Sequence, residues 1–164
     1  MKRNLIVISV ISMLHLANRS AAQLPLIPIA DQKSLLRSSD PKLAHNKKLV
    51  YDFWREVLEA GHLELAEKYM AETYMQHNPN LPTGRKGFLE FFSKFKKPQP
   101  IVDTIKGPLL AVVAEADLVI LSFARQLTDP NDPTKKYYTT SFEMLRVENG
   151  KIAEHWDSAE KMKQ

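Results

Sequence analysis

The stretch FEMLRVENGKIAEHWD, residues 142–157, decides how the chain is read. Asn149-Gly150 at its centre supplies positive φ cheaply and marks a tight hairpin turn. The flanking segments 136–147 and 151–157 therefore read as two antiparallel strands. In the second, alternation of period two puts His155 and Asp157 on one face, with Ile152, Glu154 and Trp156 on the other. A carboxylate near a strand end, beside an imidazole, suits proton transfer when apolar surroundings raise its pKa and the histidine orients it. The same pattern also describes an ordinary sheet-edge aspartate with a surface ion pair. Spacing alone leaves both readings open.

Upstream, residues 101–106, 109–115 and 117–127 read as further strands. Ala116-Asp117 makes a hairpin-like turn between the second and third, and DPNDP at 129–133 makes a loop. Before Pro98 the character is helical. Asp40 is an N-cap candidate with Pro41 at the first helical position. Over residues 42–59, Leu49, Phe53 and Val57 recur at four-residue spacing, and Gly61 ends the helix. Residues 62–69 form a short second helix and 84–96 a third, with Phe88, Leu89, Phe92 and Phe95 on its apolar face. Residues 72–78 form a short strand between them. Helices first and a meander of strands afterwards is an α+β pattern. A curved antiparallel sheet with helices over one side encloses a cavity, the default small-molecule site.

The polar residues that could face this cavity fall in two clusters, 74–79 (YMQHNP) and 154–157 (EHWD). In the first, Met75 and His77 share one face, while Tyr74, Gln76 and Asn78 share the other. His77 is read either as a cavity residue or as a satisfied core histidine. His77, His155 and Asp157 would also make a two-histidine, one-carboxylate set, but no recognised ligand motif spaces them, and no metal is assigned. Met75, Asn78, Ser122, Phe123 and Arg125 are the expected pocket-lining residues. Arg125 is read as an anion contact or as a solvent-facing side chain.

The chain has 164 residues, 44% of them apolar, which suits one globular domain. It has no cysteine, which excludes disulfides, zinc–thiolate sites and thiol nucleophiles. Residues 1–22 read as a signal peptide: Lys2 and Arg3, an apolar run from Leu5 to Leu16, then small residues at 20–22. An uncleaved anchor is the alternative. Cleavage before Gln23 would remove Lys2, Arg3 and Arg19 from the 23 basic residues and none of the 19 acidic ones, so the mature chain is close to neutral. The expectation is a secreted or periplasmic protein with no stable membrane span after cleavage. No basic stripe interleaved with aromatics is present, which argues against nucleic acid. Residues 23–41, rich in proline, read as a linker or a loosely packed arm.

With these motifs in view, the chain resembles the SnoaL-like polyketide cyclases of the nuclear-transport-factor-2-like superfamily. The residues that carry the resemblance are YMQHNP at 74–79, Gly84, ADLV at 116–119, and above all residues 142–157. It covers roughly residues 43–160, within a domain taken as 42–164. It implies a cone-shaped barrel of strongly curved antiparallel sheet, with three N-terminal helices enclosing a pocket, and a homodimer formed through the sheet. It also implies that Asp157 is a general acid/base in an aldol-type cyclisation without a cofactor, with His155 beside it and His77 in the pocket. Limonene epoxide hydrolases share the fold, but their Arg–Asp pairing has no clear match in LSFAR at 121–125. The leading expectation is an acid/base enzyme acting on a small organic molecule. A non-catalytic ligand-binding module and a structural dimerisation domain are the alternatives.

Overall fold

The computed structural model describes residues 24–162, so the signal-peptide reading of residues 1–22 lies outside the described residues. Helix α1, Pro41–Phe53, begins where the sequence places it. The Asp40 carboxylate accepts from the backbone N–H groups of Lys42 (2.7 Å) and Leu43 (3.4 Å), two donors that a helix start otherwise leaves unpaired. The helix then widens into π turns over Trp54–Glu59 and ends at Gly61. Gly61 has φ +75°, and a Cβ there would lie 2.7 Å from the Lys97 carbonyl oxygen, so the stop requires glycine twice over. A 3-10 turn at Leu63–Leu65 leads into α2, Ala66–Tyr69, and then strand β1, Met70–Gln76. Helix α3 spans Arg85–Phe92, shorter than the expected 84–96.

Four strands follow: β2 Leu109–Glu115, β3 Leu118–Asp129, β4 Asp132–Glu148 and β5 Lys151–Trp156. They form a mixed five-stranded sheet in the order β1-β5-β4-β3-β2. The meander β2 to β5 is antiparallel, as expected, but β1 runs parallel to β5. These two strands are joined through α3 and the whole meander, a connection long enough for parallel pairing. The sheet is a single open layer with β1 and β2 as its edges, not a closed barrel. Residues 101–106 are not a strand. The backbone N–H of Ile105 donates to Gln32 Oε1 (3.0 Å), and its carbonyl accepts from Gln32 Nε2 (2.9 Å). The Tyr51 hydroxyl donates to the same Gln32 oxygen at 2.7 Å. The expected arm is therefore docked around Gln32, which is buried, and Ile29 N–H adds a bond to the Leu109 carbonyl.

One irregularity in the β4–β5 hairpin positions everything that follows. Val147 pairs with Ile152, but Arg146 pairs with Glu154, so Ala153 is an extra residue in β5. Ile152, Ala153 and His155 are all buried. Beyond the bulge the rungs are Leu145 with His155 and Met144 with Trp156. The inner face carries the rung Ala114–Val119–Leu145–His155–Gln76. The outer face carries the rung Val113–Ile120–Met144–Trp156.

The core lies between the inner face and the helices. Val50, Phe53 and Val57 of α1 and its π extension pack with Met70, Leu109, Leu121, Leu145 and Ile152. Each such side chain stabilises the fold by about 1.5–3 kcal/mol through removal from water. No described helix is long and apolar enough to cross a membrane.

Candidate active site

A cavity of about 560 Å³ remains between the inner face of the sheet and the helices. Its walls are aromatic and aliphatic: Phe53, Trp54, Phe88, Phe92, Phe123 and Leu145. Trp54 stacks on Phe123 with ring centres 5.0 Å apart. Polar groups occupy two places. Tyr74, Gln76, Glu143 and His155 form one end, and Glu59, Lys96 and Arg125 another part of the lining.

His155 reaches the cavity because the bulge at Ala153 turns it inward. Its Nδ1 lies 3.0 Å from Gln76 Oε1 and its Nε2 lies 3.0 Å from Glu143 Oε2. The Gln76 amide is held in one orientation. Its oxygen accepts the Asn78 backbone N–H at 2.9 Å, and its Nε2 donates to the Tyr74 hydroxyl at 2.9 Å. Both ring nitrogens thus face side-chain oxygens, which fix the orientation of the ring. Burial pushes the Tyr74 hydroxyl well above its ordinary pKa, and the charges of Asp157 and Glu143 add to the shift. Tyr74 therefore stays a neutral hydroxyl.

Asp157 follows the last residue of β5 and is half-buried. Asn78 Nδ2 donates to its Oδ2 at 2.7 Å, and the backbone N–H of Ala159 donates to its Oδ1 at 2.9 Å. One ligand atom from each of Glu143, His155 and Asp157 lies within 4.8 Å of the others. The structure thus brings His155 and Asp157 together, with Asn78 holding Asp157. It adds Glu143, which the sequence reading missed. A hairpin counted back from Asn149-Gly150 without a bulge puts Met144, not Leu145 and Glu143, on the face of His155 and Asp157. The one-residue shift reverses that parity.

His77 lies elsewhere. It is 46% exposed at its side chain, its Nε2 meets Glu154 Oε1 at 2.7 Å, and its ring stacks on Trp156 at 5.0 Å. That places it on the outer face, away from His155, so the two-histidine ligand set does not assemble. Met75 is on the same side, opposite Glu154 and 44% exposed. Alternation grouped Met75 with His77 correctly, but the burial of Tyr74 turns the other set of β1 side chains inward. Ser122 is buried on the outer rung between Ala111 and Phe142 and does not line the cavity. Phe123 and Arg125 line it as expected. Asn78 does not line it; it holds Asp157, which lies beside Glu143 and His155 but is itself not among the lining residues. Outside, Arg146 Nε donates to Glu154 at 2.8 Å. This bond first, and the His77 contact second, hold the Glu154 carboxyl below the usual glutamate range.

Residues 48–164 match the SnoaL-like polyketide cyclase family. No curated protein matches the chain. Among solved structures, a candidate polyketide cyclase from Acidithiobacillus ferrooxidans aligns at 20% identity over 74% of this chain and 89% of that one, with TM-score 0.50. A candidate polyketide cyclase from Bacillus cereus aligns at 25% identity over 84% and 87%, with TM-score 0.47. An epoxide hydrolase of limonene-epoxide-hydrolase-like type from Mycobacterium tuberculosis aligns at 10% identity over 73% and 81%, with TM-score 0.49.

Proposed function

From the premise that the chain belongs to the SnoaL-like polyketide cyclase family, we propose that it catalyses aldol-type acid/base chemistry on a small organic molecule at the polar end of its cavity. The observation that carries the reading is the convergence of Glu143, His155 and Asp157 within 4.8 Å, with Glu143 and His155 lining the cavity and Asp157 directly behind them. Asp157 removes a proton from a carbon between two carbonyls. The electron pair left on that carbon forms a bond to the carbon of a third, more distant carbonyl of the same molecule, whose C=O π pair moves to its oxygen. The oxygen of that carbonyl then takes the proton back from Asp157. His155, held in place by Gln76 and Glu143, stabilises the enolate as it develops. No step calls for a cofactor.

The test is deuterium wash-in at the activated methylene of a panel of aryl β-keto esters in D₂O, followed by proton NMR. The wild-type protein accelerates exchange, and Asp157→Asn reduces that acceleration by about 10²–10⁴-fold, the usual contribution of a positioned acid or base. Binding of the panel without any acceleration would leave a non-catalytic binding module instead.

Two further parts of the reading concern the whole chain. The rung Val113–Ile120–Met144–Trp156 gives the outer face an apolar band, with Val113 56% and the neighbouring Phe142 53% exposed. The partner for that band is a second copy of the chain. Residues 1–22 serve as an export signal, which makes the working compartment the periplasm or the exterior.

A further inference from the structure

We infer, resting on the proton-transfer end proposed above, that the cavity takes an amphipathic carboxylate whose anionic group is held by Arg125 and Lys96, with the reacting carbon at the Glu143–His155 end. Arg125 lines the cavity and makes neither a hydrogen bond nor an ion pair with any described residue. Lys96 also lines it. Its Nζ donates to the Leu58 carbonyl at 2.6 Å and meets no carboxylate among the described residues. The one carboxylate in this part of the lining, Glu59, is already occupied. Its two oxygens accept the backbone N–H groups of Lys106 (2.6 Å) and Gly107 (2.8 Å). The other lining carboxylate, Glu143, is paired with His155. Two cations and one carboxylate held by neutral backbone amides therefore leave this part of the lining with an excess of one positive charge. An anion is the ligand group that completes such a site, and a guanidinium fork suits a planar carboxylate.

The ladder between β3 and β4 gives the spacing. Leu121 pairs with Glu143, Phe123 with Ser141, and Arg125 with Thr139. Arg125 thus stands two rungs of the same face from Glu143, four residues along each strand, or about 13 Å between the backbones. Between them lie Phe123, the Trp54 ring stacked on it, and Ser141. A molecule that reaches both ends carries its carboxylate at one end of a flat apolar body. Its activated carbon lies at the other end.

The probes are 4-(2-naphthyl)butanoate and its methyl ester, a pair that differs in the charge, with binding read by isothermal titration calorimetry on residues 23–164. The acid binds about tenfold tighter than the ester, as a charge-assisted contact predicts, and the preference shrinks with added salt. In Arg125→Gln with Lys96→Gln, acid and ester bind within about twofold of each other, while the ester keeps its wild-type affinity. Equal binding of the two by the wild type, binding of neither, or a preference that survives the double substitution would each overturn the inference. Asp157→Asn leaves the preference in place. Absence of deuterium wash-in with the wild-type protein, beside an intact acid preference, would therefore count against the proton-transfer reading alone.

Discussion

Glu154 lies between Arg146 and His77 on the outer face, and its carboxyl is held below the ordinary glutamate range by Arg146 first and His77 second. A folded-state pKa below the unfolded value contributes stability that is present above the unfolded pKa and is lost as pH falls through the folded one. Arg146→Met should move the Glu154 midpoint up toward its ordinary value, read from its side-chain carboxyl carbon by NMR. An unmoved midpoint would show that Arg146 is not the cause. The same cluster explains what could be read at His77. That His77 and Met75 share a side follows from alternation. That the side is the outer one depends on Trp156 and Glu154, which stand across from β1 on a strand whose own facing depends on a bulge. His155 and Asp157 were legible as a pair because they lie beyond the bulge on the same strand. Glu143 was not, because it reaches them from the other strand across an altered register.

At the scale of elements, α1 shows what local chemistry can specify. Asp40 and Pro41 are sufficient to start it, and Asp40→Ala should lower stability by about 1 kcal/mol, or roughly 2–4 °C in Tm. Asp40→Asn, which keeps an oxygen acceptor, should retain most of that stability in the same thermal melt. A full-sized loss in Asp40→Asn would argue that charge rather than capping holds the helix start. Residues 101–106 show the opposite case. Their composition suits a strand, but the backbone groups of Ile105 are satisfied by one side chain, Gln32, 73 residues away. Nothing in a stretch of proline, leucine and isoleucine signals that its glutamine will be buried. The parallel pairing of β1 escapes a local reading for a related reason. Its partner arrives only after the rest of the sheet has been laid down.

For the whole molecule, the sheet divides two tasks: its inner face builds the cavity and its outer face carries the apolar band. A second copy seated on that band predicts a dimer in sedimentation velocity, and Val113→Lys with Phe142→Glu should give a monomer with an unchanged circular dichroism spectrum. A wild-type monomer would sink that assignment. The α+β order was legible because helical and strand periodicities occupy different halves of the chain. The open sheet was not, since closure depends on strand curvature rather than on pattern. The extra residue at Ala153 has a consequence for descent as well as for form. Because a strand presents its side chains in alternation, the hairpin has something like a reading frame. A strand of the same length paired without the bulge would set His155 opposite Met144 and Asp157 opposite Phe142, sending both out and bringing Glu154 and Trp156 in, whereas deleting Ala153 itself would leave His155 opposite Leu145. Among relatives of this chain, what the cavity accepts should track whether this hairpin pairs the strand beyond its turn in the present frame or in the alternative one, more closely than overall sequence identity.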